Sequence, residues 1–341
     1  NTIRSLGGGY WQPVVGGDGS FNAVDPDNDF IQYASLQFLN VFKSYDQGFS
    51  YNEQIISKPA SAYGGNTAAF VAPFVIAPSN TNVLYAGADT LFRSDDAGFS
   101  FYAPGNRPIN ADAVSLAIAV SSTDPDVVYV TTAPTDVLPS GVWRSDDGGV
   151  NMLNVSAGLP NRYPRDIDVD PRDSRIVYVA FSGFGSGHLF RSSDGGANWT
   201  DISTTLPDVP FHCIQPDIDH PDTLYAGSDL GVFVSTDAGS TWDAFNQGLP
   251  DGAMVFDLKK STADNSLLAF THGNGVYRVS LGALPVGVDL TLQQPGFQLA
   301  LMGNPVRDEL LLRLGLGTTG LVQFRIFDLQ GRLIDQSSMQ G

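Results

Sequence analysis

Helix-forming charged residues are scarce: two Glu, Glu53 and Glu309, and four Lys stand against 34 Asp in 341 residues. Glu and Lys favour helices, whereas Asp belongs to turns, so this shortage argues against a helical protein. Cysteine is limited to Cys213, which excludes an intrachain disulfide, and no Cys/His grouping has zinc spacing. No apolar run approaches the roughly 20 residues of a membrane-crossing helix. Basic residues are few, and the net charge of −18 excludes nucleic-acid binding through clustered Lys and Arg. The same charge disfavours an anionic membrane surface without a bridging cation. Gly and Pro, by contrast, are abundant at 37 and 21 residues, and 42% of the chain is apolar. That balance describes a turn-rich β protein with enough apolar surface for a packed core. The chain begins at Asn1 without a charged or apolar leader, which reads as a mature form or a fragment.

A repeat organises the chain. Five segments share Ser-x-Asp-x-Gly-x-x-(aromatic or Met): Ser44–Tyr51, Ser94–Phe101, Ser145–Met152, Ser192–Trp199 and Ser235–Trp242. Their starts lie 50, 51, 47 and 43 residues apart. Arg93, Arg144 and Arg191 precede three of them. Upstream of each, an apolar run, a Pro/Asp/Asn turn and a β-rich stretch ending in Tyr recur, as in Val169-Asp170-Pro171 to Tyr178. One unit therefore reads as a four-stranded antiparallel meander of roughly 45 residues, the size of a propeller blade. Val255–Leu281 keeps three strands of a sixth unit and lacks the signature turn. The expected fold is all-β: a β-propeller of four-stranded antiparallel blades, six in number, over residues 1–281, followed by a small β-sandwich-like module over 282–341. Ile3 to Trp11 reads as a shortened third strand, turn and fourth strand. Trp11–Val15 is expected to pair with Gly275–Ser280 and close the last blade, covering an otherwise exposed edge. The alternative is the tail of a blade that starts outside this chain.

Ser192-Ser193-Asp194-Gly195-Gly196-Ala197-Asn198-Trp199 and Ser235–Trp242 resemble the Asp-box, or bacterial neuraminidase (BNR) repeat. That repeat occurs in sialidases, sortilin-type receptors and xyloglucan-degrading glycosidases. It implies a propeller and is nearly silent about activity. Trp11 to Pro26 resembles an internal stretch of secreted sortilin-like propellers of the Bacteroidetes. Asn304-Pro305-Val306-Arg307-Asp308 and Ile326-Phe327-Asp328-Leu329-Gln330-Gly331-Arg332 resemble the C-terminal sorting domain of type IX secretion cargo. The resemblance implies a secreted or outer cell-surface protein that meets the secretion machinery through a partial sorting domain. The family's later Gly-x-Tyr strand and basic terminus are absent before Gly341.

Repetition in every unit assigns Asp46, Asp96, Asp147, Asp194 and Asp237 to architecture, since Asp and Ser side chains bond backbone N–H groups within such turns. Sialidase activity fits poorly: the Arg-Ile-Pro motif is missing, Glu309 lies outside the propeller and Glu53 follows a repeat turn. Asp166, Asp168 and Asp170 alternate on one strand, so they share a face. Three such carboxylates sit in water, hold a cation such as calcium, or raise a pKa. Asp217 and Asp219 occupy the comparable place one unit on. Asp166, Asp168, Asp217 and Asp219 are therefore the catalytic candidates for a glycosidase, while Asp166, Asp168 and Asp170 are the metal candidates. Asp25, Asp27, Asn28 and Asp29 read as a turn and lack an EF-hand pattern. His188, His212, His220 and His272 form no triad by spacing, and His212 beside Cys213 reads as core. Asp89-Thr90-Leu91 and Asp222-Thr223-Leu224 resemble Bacteroidetes O-glycosylation sites.

The favoured reading is a non-catalytic propeller that binds a glycan or a protein ligand and requires no cofactor. The long hairpins Thr131–Gly141 and Ser182–Gly187 are its contact loops, with Phe181 and Phe184 as ligand-stacking aromatics. The alternatives are a glycoside hydrolase with an Asp pair, or an assembly and adhesion module of a larger surface protein.

Overall fold

All five repeat segments close the same turn. The Ser hydroxyl donates to the Asp carboxylate at 2.7–2.8 Å. It also accepts the Gly N–H at 2.8–2.9 Å. The carboxylate takes both the backbone N–H and the side chain of the residue four positions on: Ser50, Ser100, Asn151, Asn198 or Thr241. Those bonds hold Asp46, Asp96 and Asp194 at about 2 and lower Asp147 and Asp237. Two successive residues turn through the left-handed region, as at Gly195 (φ 76°) and Gly196 (φ 91°). Gly196 answers to packing as well, since a Cβ there would stand 2.8 Å from the Val155 side chain.

The computed structural model describes residues 2–7, 10–58, 67–281, 297–301, 312–316, 321–327 and 333–340. Six antiparallel blades follow one another in a β-propeller, and the first strands of successive blades lie against each other. The first blade is Gly19–Val24, Gln32–Leu36, Asn40–Ser44 and Glu53–Ile56. The second is Phe74–Ile76, Leu84–Gly87 and Leu91–Ser94; its expected fourth strand is reduced to a single bridge, Arg93 to Tyr102. The third is Ser115–Val120, Val128–Thr132, Gly141–Ser145 and Leu153–Asn154. The fourth is Tyr163–Val169, Val177–Ser182, Leu189–Ser192 and Thr200–Asp201. The fifth is Phe211–Pro216, Leu224–Ser228, Gly231–Ser235 and Asp243–Ala244. The sixth has three strands, Val255–Ser261, Ser266–Thr271 and Gly275–Ser280.

Blades join through one recurring latch. In the first three blades a Tyr of the second strand is buried, and its hydroxyl crosses to a carbonyl of the next blade: Tyr33 to Ala97, Tyr85 to Pro125 and Tyr129 to Ser174, each at 2.9 Å. The residue before the repeat Ser adds a cation: Lys43 reaches the Ala97 carbonyl at 2.7 Å, Arg93 pairs with Asp126, and Arg144 reaches the Gly195 carbonyl at 3.3 Å. The closing Trp reaches back, Trp199 to the Val155 carbonyl and Trp242 to that of Ile202, both at 2.7 Å. The repeat turn is also tied to its own blade's first turn, as in Gly195 N–H to the Arg175 carbonyl at 2.8 Å. The polar side chains of the repeat turns are thus consumed by architecture, while Phe49 and Phe99 within those turns stand exposed.

The expected closure by Trp11 does not form. Tyr10–Val15 pairs antiparallel with Thr2–Gly7 instead of with Gly275–Ser280. A strand ending three positions upstream closes a far shorter loop than one some 260 residues away, so the local hairpin wins. That hairpin meets the first blade as a blade would: Arg4 donates to the Gln47 carbonyl at 3.1 Å and lies 3.5 Å over the Phe49 ring. Among the described residues, Gly275–Ser280 pairs only with Ser266–Thr271.

Contacts divide the chain into Asn1–Ser280 and Leu281–Gly341. In the second unit Phe297–Leu301 pairs with Leu312–Leu316, and Leu321–Phe327 pairs with Leu333–Gln340, both antiparallel. Asn304 to Asp308 and Asp328 to Arg332, which carry the sorting-domain resemblance, lie outside the described residues.

Candidate functional site

The rim opposite the repeat turns carries the hairpins between second and third strands and the connections between blades. Here the first strands of four successive blades share a β-bulge at one position: Ser115/Ala117, Pro164/Asp166, Phe211/Cys213 and Val255/Asp257. A bulge re-aims the extra side chain. The extra residues are Leu116, Arg165, His212 and Phe256. The register then sets Asp166, Cys213 and Asp257 in one tier, and Asp168, Gln215 and Lys259 in the next.

These tiers are polar and closely bonded. Asp166 accepts the N–H of Ile167 at 3.0 Å and, from the neighbouring blade, that of Ile214 at 2.9 Å. Asp168 accepts the N–H of Val169 at 2.8 Å and the Gln215 amide at 3.2 Å. Asp257 accepts the Leu258 N–H at 2.9 Å and pairs with Lys259 at 3.2 Å. Burial pushes the Asp166 carboxyl up to about 6. Burial together with the Asp166 charge pushes Asp168 to about 7. Desolvation opposes the Lys259 ammonium, yet Asp257, Asp166 and Asp168 outweigh it and raise that group.

The structure separates the three alternating carboxylates. Asp170 is buried at the strand end, where Arg172 grips both its oxygens at 2.9 and 2.6 Å. The strand carries only Asp166 and Asp168 to the shared face; Asp170 belongs to the following turn and caps the Arg172 N–H. Among the described residues no three His, Cys, Asp or Glu converge as metal ligands do. Asp217 and Asp219 are likewise committed, since Lys260 bridges them, with 2.6 Å to Asp219. Desolvation works against the Asp217 carboxylate, but Lys260 and the Asp219 N–H hold it below its ordinary value. Asp25 caps the Asp27 N–H and Asn28 the Phe30 N–H, as a turn requires. Thr90 is buried and its hydroxyl bonds Asp89, which removes that tripeptide from the accessible surface.

The aromatic candidates divide too. Phe181 is a correction: it is 1% exposed and packs edge-to-face on Phe190 in the core, out of a ligand's reach. It faces inward because it pairs with Pro164 at the end of the buried run Val177–Phe181 of the second strand. Phe184 stands out at 61% exposure on the Ser182–Gly187 hairpin. Arg162 fixes that hairpin through the Phe184 carbonyl at 3.3 Å, and Asp208 through the Gly185 N–H at 2.8 Å. Asp208 also meets His188 at 3.1 Å. In the Thr131–Gly141 hairpin, Thr135 caps the N–H of Leu138 at 3.0 Å, and Trp143 is half-buried with its indole N–H on Thr132.

Residues that sequence spacing left unconnected meet beside Arg165. His212 bonds Asp229 at 2.8 Å and stacks on Phe256 at 4.3 Å and 12°. Phe256 meets His272 at 5.4 Å. The rings form a ladder from buried His212 to exposed His272. Their only sequence-level signal is the equivalent position of Arg165, His212 and Phe256 in successive units, which one inserted bulge residue disguises.

No known sequence family matches the chain, and no curated protein matches it. Solved structures do. The GH74 enzyme of Niastella koreensis aligns with a TM-score of 0.57 at 18% identity, over 76% of this chain and 44% of that one. The extracellular domain of a hybrid two-component system of B. thetaiotaomicron aligns at 0.57 and 16%, over 82% and 35%. That of a one-component system from the same organism aligns at 0.52 and 15%, over 78% and 33%. The chain spans less than half the length of these structures. At such identities the likeness establishes the fold, and that fold is a β-propeller.

Proposed function

We propose that this chain is an exported propeller that binds a glycan, without hydrolysing it, on the rim opposite the repeat turns. The observation that carries this reading is the place where exposed rings meet basic side chains. On one rim every repeat carboxylate is spent on its own turn. On the other, exposed Phe184, Tyr163 and Phe256 stand beside Arg162, Arg165 and His272. Flat apolar rings interleaved with hydrogen-bonding groups suit sugars. We read the five turns as Asp-boxes, the propeller as sortilin-like, and the second unit as a sorting module for the secretion machinery. On that reading the protein is secreted or held at the outer surface. A protein ligand would use the same rim.

A glycoside hydrolase is the second reading, favoured by the raised carboxyls of Asp166 and Asp168. Both project from one strand, whereas a glycosidase pair flanks the scissile bond. Glycan-array binding with a reducing-sugar assay separates the readings. Binding without sugar release, lost in Phe256→Ala, is expected; release that depends on Asp168 would instead make it an enzyme.

A further inference from the structure

Arg165 is out of keeping with its surroundings. Acids outnumber bases two to one in this chain, and Arg93, Arg144, Arg172, Arg175 and Arg278 each hold an Asp. Arg165 is half-buried, yet among the described residues it makes no hydrogen bond and no ion pair. The nearby acids are already engaged. Each oxygen of Asp166 accepts a backbone N–H, Asp229 is held by His212, and Asp257 is held by Lys259. Burial lowers the Arg165 pKa, opposed in part by the charge of Asp166. Its nitrogens reach water and no protein group among the described residues claims them, so the fork is open to an arriving anion.

We propose that Arg165 and the His212–Phe256–His272 ladder form a subsite for a carboxylate-bearing sugar, a uronic acid residue of an acidic glycan. This rests on the glycan-binding reading and names its ligand class. The planar fork of Arg matches a carboxylate in a bidentate pair, and the rings beside it accept the flat face of a pyranose. His212 is the mount: Asp229 holds one nitrogen, and its ring backs Phe256 at 4.3 Å. Phe256 and His272 present the exposed end. The bulge that turns Arg165 out of its strand turns His212 and Phe256 out of theirs, which brings the charge and the rings to one mouth.

Calorimetry on the full chain tests this with oligomers of galacturonate, glucuronate and mannuronate, each beside its carboxyl-reduced counterpart. At least one uronate oligomer should bind more tightly than its reduced form. Arg165→Met should weaken that binding by about tenfold to a hundredfold, while Phe256→Ala weakens both forms. Because Arg165 holds no protein partner, Arg165→Met should melt no lower than the parent. Equal binding of acid and reduced oligomers, no uronate binding at millimolar concentration, or a lower melting temperature in Arg165→Met each overturns the subsite. Reduced oligomers that bind through Phe256 regardless of Arg165 end this proposal and leave the glycan reading standing. An acidic peptide held at Arg165 in place of any sugar ends both.

Discussion

Arg144 donates to the carbonyl of Gly195 at 3.3 Å, across the boundary between the third and fourth blades. It belongs to a series that Lys43 and Arg93 continue, and that Arg4 extends to the N-terminal hairpin through the carbonyl of Gln47. The contact explains why a base precedes the repeat Ser in these blades: the third strand ends where the next blade's turn presents an acceptor, a carbonyl for Lys43 and Arg144 and the Asp126 carboxylate for Arg93. Arg144→Met should therefore destabilise by about 1–3 kcal/mol, read from urea unfolding, with ligand binding intact. Unchanged stability would leave the latch to Tyr129 alone.

The repeat turn itself makes a sharper prediction. Ser192 is 1% exposed, and its oxygen accepts the Gly196 N–H while its proton goes to Asp194. Ser192→Ala leaves a buried N–H unpaired and should destabilise by about 1–3 kcal/mol. The Asp194 carboxyl should also move up from about 2 toward its ordinary 3.8, which an NMR titration reads. For the parent the folded pKa lies below the unfolded one. The stability these carboxylates contribute is thus whole above about pH 4 and is lost as pH falls toward 2.

Such turns were legible because every bond in them is local: Ser192, Asp194, Gly196 and Asn198 lie within seven residues, and the pattern returns five times. The strand order follows from the same periodicity. The site was legible only in pieces. Alternation placed Asp166 and Asp168 together, but it could not say that Asp170 turns away to Arg172. The Arg165, His212 and Phe256 cluster depends on a bulge repeated across blades, which shifts register without any change of composition. Phe181 and Phe184 look alike in sequence, and strand pairing alone puts one in the core. Trp11 was assigned to a distant edge when a nearer strand was available.

Asp170 should behave as structure and not as a metal ligand. It is 3% exposed, and Arg172 grips both its oxygens. Asp170→Asn breaks a charge pair that is buried on one side only, so the loss should be about 2–3 kcal/mol. Calcium should shift the melting temperature of neither form. A rise with calcium in the parent, absent from Asp170→Asn, would restore the cation site.

Asp168 runs against the repeat carboxylates in sign. Its proton is held to about 7 in the folded chain, against 3.8 for an ordinary Asp, because burial and the charge of Asp166 disfavour ionisation. Between those values the folded state binds more protons than the unfolded one, so stability falls as pH rises and levels off above about 7. The acid loss at the repeat turns lies below pH 4, so the two windows do not overlap. Asp168→Asn keeps an acceptor for the Val169 N–H and carries no charge. It should reduce the slope between pH 5 and 7, leaving below pH 6 the share that Asp166 supplies, and add about 1–3 kcal/mol at pH 8. Lys259 loses one of three favourable neighbours in that variant, which places the gain toward the lower end. Urea melts of both proteins at pH 5, 6, 7 and 8 decide it. Parallel curves would mean that Asp168 ionises freely, in contact with water.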